Sequence, residues 1–283
     1  MKIAFFGTPE FCVPSLEALI QNTRYSVVCV VTQPDRPGKR GKDLIPPPAK
    51  VLAQKRGIPV FQPERISKEI DTLFSTIEKP DIIVTCAFGQ ILRQNVIDYC
   101  KHGVVNVHAS ILPKYRGACP INFVIIKGET ETGITIMQTD IGIDTGDILL
   151  QVPTKIGEDE TAGELSARLS VIGADALVKT LDLIKSGKVK RTKQDDSKSS
   201  YYPMLKKSDG KIDFSKTPKE IVNFVRGMNP WPMAFAESNL GDIRVHKASV
   251  KYGELQLDIV QKPGGKPITY KDFLNGHKDF KLG

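Results

Sequence analysis

Apolar positions in the first half of the chain follow two alternating patterns. Short uninterrupted runs rich in β-branched residues, such as 26–32 and 81–86, predict strands that are buried on both faces. Between such runs, segments such as 67–78 and 94–101 carry apolar residues at helical spacing, which predicts amphipathic helices. This alternation predicts an α/β fold around a doubly wound, Rossmann-like, mostly parallel sheet.

The pattern changes further along the chain. Two predicted strands, 133–138 and 148–153, are joined by a polar loop. Thr161 and Glu164 then match a capping box, which predicts the start of a helix that continues to about residue 185. Two strands in succession, followed by one long helix, therefore replace the strand–helix alternation of the first half.

The chain divides into three predicted parts. Residues 190–210 are polar and rich in Lys, Ser and Asp, which is typical of a linker. Residues 1–189 before it form the predicted α/β domain. After the linker, 211–283 combine one helix with short strands, and this predicts a smaller, OB-like β-barrel domain that is shortened.

Net charge is distributed unevenly between these parts. The sequence has 40 Lys and Arg against 32 Asp and Glu, a formal net charge of +8. Residues 1–189 hold 22 basic and 21 acidic residues, whereas 190–283 hold 18 and 11. A basic segment beside a nearly neutral one suggests a polyanionic partner, although a solvated surface explains the same count. Nucleic-acid binding is a hypothesis that needs more than charge.

The sequence indicates neither a membrane partner nor a metal. The N-terminal apolar run ends at Gly7, and no later run reaches about 18 apolar residues, so we expect a cytoplasmic protein. The five cysteines are odd in number and show no CxxC spacing. This predicts reduced thiols rather than disulfides or zinc ligands.

Candidate chemistry lies where the predicted strands end, because open α/β sheets bind ligands at that edge. Gly7 follows the first strand without the GxGxxG pattern, so a nicotinamide cofactor is disfavoured. Asn106 and His108 are two residues apart near the end of another strand and therefore face the same side. An amide beside an imidazole can stabilise an oxyanion and move a proton. A histidine that only caps the strand is the alternative.

Two loops carry further candidate residues. The segment 140–147 holds three carboxylates and two glycines, either as a turn with Asx capping or as the source of a carboxylate beside His108. The segment 33–48 is a Gly/Pro loop that binds phosphates or is simply solvated. Its basic residues are Arg36, Lys39, Arg40 and Lys42. No GxSxG motif is present, which favours direct transfer over a covalent intermediate.

Several short motifs occur in order along the whole chain, at 6–11, 33–37, 87–92, 106–110, 112–113, 115–118, 131–137, 144–147 and 229–232. Together they resemble the methionyl-tRNA formyltransferase family. Asn106, His108 and Asp144 are shared with formyltetrahydrofolate-using relatives in general. The first two motifs and the Asn-Pro-Trp-Pro turn at 229–232 single out the tRNA enzymes.

The resemblance implies transfer of a formyl group from 10-formyltetrahydrofolate to the α-amino group of methionyl initiator tRNA. It implies that Asn106 and His108 stabilise the oxyanion, and that Asp144 orients His108 and assists proton removal. The implied folate-binding residues are Phe88, Gly89, Gln90, Ile91, Leu92, Ser110, Ile111, Leu112 and Pro113. The implied tRNA-binding residues are Arg36, Lys39, Arg40 and Lys42, with 211–283 as the tRNA-binding domain. We expect a monomer without a metal.

The C-terminal domain departs from the family pattern, because the stretch that usually lies between 251–260 and 268–274 is missing. Two alternatives therefore stay open. Relatives formylate other acceptors, such as an amino-sugar nucleotide, a purine-pathway amine or water, but small acceptors need no basic loop or tail. A non-enzymatic RNA-binding protein on the same scaffold is the other alternative, and the complete set of Asn106, His108 and Asp144 argues against it.

Overall fold

The computed structural model describes residues 1–38 and 43–282. Within them the strands, numbered β1 to β15 in chain order, are Lys2–Gly7, Ser26–Val31, Arg36–Pro37, Leu44–Ile45, Val60–Phe61, Ile82–Cys86, Val104–His108, Arg116–Gly117, Glu131–Gln138, Ile148–Lys155, Tyr201–Tyr202, Ala234–Ala236, Ile243–Lys251, Glu254–Gln261 and Ile268–Thr269. The α-helices of the same residues, α1 to α8, are Val13–Gln21, Pro48–Lys55, Ile66–Ser75, Gln94–Ile97, Pro120–Ile126, Ala162–Lys185, Pro218–Gly227 and Tyr270–Gly276.

The large sheet has seven strands within the described ranges, in the order β10-β9-β7-β6-β1-β2-β5. The strand β1 pairs in parallel with β2 and β6, and β6 pairs in parallel with β7. The pair β2 and β5 is also parallel, whereas β7 and β9 are antiparallel. The carboxyl ends of β1, β2, β6 and β7 therefore meet at one edge. The predicted α/β fold with a mostly parallel sheet is confirmed.

Apolar burial explains why the central strands appear as continuous apolar runs. Every residue of β6 is buried, as are the last five residues of β1. Ile70 and Phe74, one turn apart on α3, pack into the same cluster as Phe6 and Ile83 of these strands. Covering both faces of a strand removes the polar alternation that a half-exposed strand would show.

Two helices are shorter than their apolar patterns predict. The helix α3 ends at Ser75 rather than at 78, and α4 covers Gln94–Ile97 rather than reaching 101. After α4 the chain forms turns, and Gly103 has a φ of +66° before β7 begins. Cys100 is buried within these turns. Apolar side chains here pack against the core without helical hydrogen bonds, so their spacing in the sequence predicts a longer helix than the structure has.

The chain forms two compact units. The first consists of Met1–Arg116, Gly133–Pro153 and Ala167–Ser200, and it contains the large sheet. The second consists of Gly117–Thr132, Thr154–Ser166 and Tyr201–Gly283. Each unit draws on three separate parts of the sequence. The domain boundaries at 189, 190–210 and 211 stay a prediction.

The second unit is built on an antiparallel sheet, which in the described part of the chain has the order β12-β13-β14-β15. The helix α7 begins at a capping box, in which Thr217 Oγ1 accepts from Glu220 N at 3.3 Å and Glu220 Oε2 accepts from Thr217 N at 2.9 Å. Ile221 and Val225 of α7 share a core with Phe273 of α8. The predicted smaller C-terminal β unit is thus confirmed as a small antiparallel sheet, and 211–282 holds two α-helices, α7 and α8, where the sequence predicted one.

The segment predicted as a linker contains regular structure. Thr192 forms an antiparallel bridge with Ile148, the first residue of β10. Asp196–Lys198 forms a turn of 3-10 helix, and β11 follows it. The polar composition of residues 192–200 therefore reflects hydrogen bonding within the first unit as well as exposure to solvent.

Candidate active site

Asn106 and His108 lie on β7, and the alternation of side chains along a strand puts them on one face. His108 is 5% exposed, and its Nε2 is 2.9 Å from the carbonyl oxygen of Tyr115. A carbonyl oxygen only accepts, so this bond places a hydrogen on Nε2. The other ring nitrogen, Nδ1, is the one at which a proton can be gained or lost.

Asp144 lies beside that second nitrogen. Its Oδ2 is 3.6 Å from His108 Nδ1, and the side chains of Asp144 and His108 are 17% and 6% exposed. A carboxylate at this distance stabilises an imidazolium, because little water is present to screen the two charges. The structure therefore brings together the histidine and carboxylate that the motifs selected, and their catalytic roles stay a prediction.

The loop 140–147 has a constrained backbone. Asp144 has a φ of +54°, in the left-handed region that Asp and Asn enter more readily than other side chains. Asp140 Oδ1 accepts from Gly142 N at 3.2 Å, as in an Asx-type turn, and also from Thr145 Oγ1 at 2.6 Å. A Cβ atom at Gly146 would overlap the carbonyl oxygen of Gln138. The loop is thus both an Asx-capped turn and the source of a carboxylate beside His108.

The amide of Asn106 is oriented by Thr85 on the neighbouring strand. The two residues are partners in the parallel register of β6 and β7, and Thr85 Oγ1 donates to Asn106 Oδ1 at 2.8 Å. In the part of the chain that the structure describes, no group accepts a hydrogen bond from Asn106 Nδ2. This amide nitrogen is therefore a donor that a bound ligand can use.

Hydrogen bonds immobilise the loop that follows β7. Thr135 Oγ1 donates to Ser110 O at 2.6 Å and accepts from Leu112 N at 3.1 Å. Gln151 Nε2 donates to Leu112 O at 2.8 Å. Ser110 and Leu112 are buried, which fixes two of the four predicted folate-binding residues of this loop. The half-buried ones are Ile111 and Pro113.

The other predicted folate-binding segment, 88–92, follows β6. The carbonyl oxygen of Phe88 accepts from Thr8 Oγ1 at 3.0 Å and from Gln33 Nε2 at 3.3 Å, so the ends of β1, β2 and β6 are tied together. Gln90 Nε2 and Oε1 bond to backbone groups at 2.9 Å. Ile91 is 79% exposed and offers an apolar surface. The remaining members are Gly89, which is exposed, and Leu92, which is half-buried.

Only one of the four predicted tRNA-binding residues is described. Arg36 is exposed on β3, which pairs with β4 as a short antiparallel hairpin. The base of this hairpin is held by Asp35, whose carboxylate accepts from Lys50 Nζ at 2.6 Å and Gln62 Nε2 at 2.8 Å. Those two donors lower the pKa of Asp35. The predicted residues that lie outside the described ranges are Lys39, Arg40 and Lys42.

Gln194 and Arg116 contact the site although the sequence analysis did not select them as site residues. Gln194 Nε2 donates to the carbonyl oxygens of Asp144 at 2.8 Å and Gly146 at 2.7 Å. Gln194 Oε1 accepts from Arg116 Nε at 3.1 Å and Nη2 at 2.8 Å. A single glutamine in an aperiodic polar segment carries no local signal, so only the fold reveals these contacts.

All five cysteines are free thiols. Burial raises the pKa of Cys29, Cys86 and Cys100 to about 12. Within residues 1–38 and 43–282, no group of three or more His, Cys, Asp or Glu side chains is arranged to hold a metal ion. No helix in those residues is long and apolar enough to cross a membrane.

Comparison with known proteins gives two family matches and several similar proteins. The formyl transferase family model matches residues 1–181, and the formyl transferase C-terminal domain model matches 204–254. The methionyl-tRNA formyltransferase of Geotalea uraniireducens is 45% identical, and the alignment covers 98% of this chain and 96% of that protein. The methionyl-tRNA formyltransferase of Acetivibrio thermocellus is 50% identical, with 98% of this chain and 97% of that protein covered.

A solved structure shows the shared fold. The N-formyltransferase from Helicobacter canadensis, in complex with folinic acid and dTDP-3-aminofucose, superposes with a TM-score of 0.69 at 23% identity. The superposition covers 95% of this chain and 98% of that one. The alignment with the Geotalea protein spans 302 positions, more than the 283 residues of this chain, so that relative has residues without a counterpart here. The family resemblance drawn from the motifs is confirmed, and the chain belongs to the formyl transferase family.

Proposed function

We propose that this protein transfers a formyl group from 10-formyltetrahydrofolate to the α-amino group of methionyl initiator tRNA. The pair His108 and Asp144, with Nδ1 and Oδ2 3.6 Å apart, carries the proposal. The chain around this pair is similar to methionyl-tRNA formyltransferases over 98% of its length. Formyl transfer to an amine needs a group that accepts a proton and a donor that faces the formyl oxygen, and β7 carries one of each.

The residues would act at defined atoms. When the amine nitrogen bonds to the formyl carbon, one proton leaves the amine and negative charge forms on the formyl oxygen. His108 takes the proton at Nδ1, because Nε2 already donates to Tyr115 O. Asp144 stabilises the imidazolium, and Asn106 Nδ2 donates to the oxyanion. As the bond to the folate nitrogen breaks, His108 returns the proton to that nitrogen, which balances the reaction.

We assign the formyl donor to the segments 88–92 and 110–113. A pterin ring needs apolar contact together with a few fixed polar groups. Ile91 supplies an exposed apolar side chain, and Gly89, with a φ of +85°, has no side chain to keep a ring away from the backbone. Thr135 and Gln151 hold the backbone of the second segment in place. Rigid segments of this kind bind a flat ligand at a low entropic cost.

We assign the tRNA to the basic parts of the chain. In this proposal 1–189 binds the folate and carries out the transfer, 190–210 connects the two domains, and 211–283 binds tRNA. The excess of 18 basic over 11 acidic residues in 190–283 suits a phosphate backbone. The proposed contacts on the loop after β2 are Arg36, Lys39, Arg40 and Lys42. A cytoplasmic location and a monomeric state stay predictions.

The test is transfer of labelled formyl from 10-formyltetrahydrofolate to three acceptors: initiator Met-tRNA, elongator Met-tRNA and an amino-sugar nucleotide. We expect transfer to initiator Met-tRNA at the highest rate, and a steep fall in kcat/KM as salt rises, because phosphate contacts release counterions. Transfer to the sugar nucleotide alone would replace the proposed acceptor. Transfer to none of the three would contradict the proposed reaction.

A further inference from the structure

One side chain of the predicted linker holds the loop that carries Asp144. Gln194 Nε2 donates to Asp144 O at 2.8 Å and to Gly146 O at 2.7 Å. These two carbonyl groups flank Thr145, so a single amide nitrogen fixes the loop at two points. One of those points belongs to the residue whose carboxylate faces His108.

Arg116 holds Gln194 in turn. Its Nε and Nη2 donate to Gln194 Oε1 at 3.1 Å and 2.8 Å, and Nη2 also donates to Asp196 Oδ1 at 2.7 Å. Arg116 is 8% exposed, so little water competes for this planar fork of donors. The amide of Gln194 has one stable orientation here, because a flipped amide would put its oxygen against two carbonyl oxygens.

The same segment also holds the other neighbour of the imidazole. Tyr115 O is the group that accepts from His108 Nε2. Tyr115 N donates to Ser200 Oγ at 2.9 Å, and Arg116 N donates to Ser200 O at 2.8 Å. Residues 194–200 therefore hold the backbone of both residues that His108 contacts, Tyr115 at Nε2 and Asp144 at Nδ1.

Asp144 needs this support because of its backbone conformation. A residue other than glycine in the left-handed region stays there only where its surroundings hold it, and Asp144 has a φ of +54°. A catalytic group that is displaced by about 1 Å can slow a reaction by about 100-fold. The hydrogen bonds from Gln194 hold the backbone at Asp144 itself, so their loss would allow the carboxylate to move.

We propose that Gln194, held by Arg116, is a positioning residue that keeps the Asp144 carboxylate against His108 Nδ1. The expected effect of Gln194 on the rate rests on the proposed function. Its expected effect on the surroundings of the His108 imidazole, through the position of the Asp144 carboxylate, does not. Gln194 acts through the backbone of the loop, so substrate binding does not depend on it. Its removal should lower kcat and leave KM for both substrates nearly unchanged.

The first test compares the kinetics of Gln194→Ala and Gln194→Glu. The glutamate variant keeps the size of the side chain and its pairing with Arg116, and it loses both N–H donors to the loop, so it tests the proposal even if the alanine variant folds poorly. We expect each variant to lower kcat by about 10- to 100-fold. The matched control is Gln138→Ala, since Gln138 Nε2 also donates to two backbone carbonyls, at 3.2 Å and 2.9 Å. It should lose stability and keep the wild-type kcat.

Two further measurements separate positioning from general destabilisation. In an Asp144→Asn background, Gln194→Ala should lower kcat little further, because the carboxylate that it positions is already gone. The imidazole ¹⁵N chemical shifts of His108, measured without substrates, should move in Gln194→Ala towards those of Asp144→Asn, and should stay at wild-type values in Gln138→Ala.

The proposal is overturned if Gln194→Ala and Gln194→Glu leave kcat unchanged, or if the loss is the same with and without the Asp144 carboxylate. It is also overturned if the His108 ¹⁵N shifts stay at wild-type values in both Gln194→Ala and Gln194→Glu. A wild-type protein that transfers no formyl group to any acceptor would contradict the proposed function alone, because the ¹⁵N measurement still decides the role of Gln194.

Discussion

Replacing Asp144 by asparagine removes the negative charge beside His108 and changes little else. Asparagine also tolerates the left-handed backbone conformation, here a φ of +54°. Gln194 bonds to the backbone oxygen of residue 144, which the substitution retains. Asp144→Asn is therefore a test of charge in a loop of unchanged geometry.

The size of the effect follows from the distance between the two groups. At 3.6 Å, opposite unit charges attract by about 5 kcal/mol at an effective dielectric constant of about 20, and by about 1 kcal/mol in bulk water. Both side chains are largely buried, so the true value lies between these limits. Since about 1.4 kcal/mol corresponds to a tenfold change in rate, these limits predict a fall in kcat of between about 5-fold and about 4,000-fold.

The assay is single-turnover formyl transfer to Met-tRNA with both substrates saturating. The matched control is Asp140→Asn, because Asp140 lies in the same loop, is exposed, and accepts hydrogen bonds that an asparagine oxygen can also accept. The control should keep the wild-type rate. An Asp144→Asn protein as fast as the control would refute the role of the carboxylate.

Three other substitutions or conditions test separate parts of the structure. Gly146→Ala should lower kcat, because its Cβ would overlap Gln138 O and displace the loop; an unchanged kcat in a folded variant would contradict the close packing. Phe273→Ala should reduce the free energy of unfolding of the second unit by about 3–5 kcal/mol in urea denaturation, because Phe273 is fully buried, and a loss below about 1 kcal/mol would contradict that burial. Burial raises the pKa of Cys29, Cys86 and Cys100 from 9.0 to about 12. The free energy of unfolding should therefore be independent of these thiols below pH 9 and should fall as the pH rises from 9 towards 12, because the unfolded chain loses the thiol protons first. Thiolate absorbance of the native protein that titrates fully near pH 9 would contradict this.

The parts of the fold that could be predicted are those in which burial leaves a local pattern. The strand β6 and the second half of β2 are buried apolar runs because neighbouring strands and helices cover them. The helix α7 begins at a capping box, and its buried residues Ile221 and Val225 lie on one side at helical spacing. The end of α4 could not be predicted. Cys100 is buried in the turns after the helix, and an apolar residue at that spacing looks like part of the helical pattern.

The candidate site likewise has residues whose proximity could be predicted from the sequence and residues for which it could not. Asn106 and His108 share a strand face, so their proximity follows from a spacing of two residues. That Asp144 faces His108 depends on a loop with a left-handed residue and a glycine that admits no side chain. Gln194 lies in a polar segment whose sequence resembles a solvated linker, and its contacts appear only when β10 pairs with that segment at Ile148.

The most direct test of the central claim is formyl transfer to initiator Met-tRNA by His108→Ala, with 10-formyltetrahydrofolate as donor. His108 is the group that accepts the amine proton in this account, and removing such a group costs about 100- to 10,000-fold in rate. We expect that loss in kcat, with both substrates still bound. A His108→Ala protein that transfers the formyl group at the wild-type rate would contradict the account.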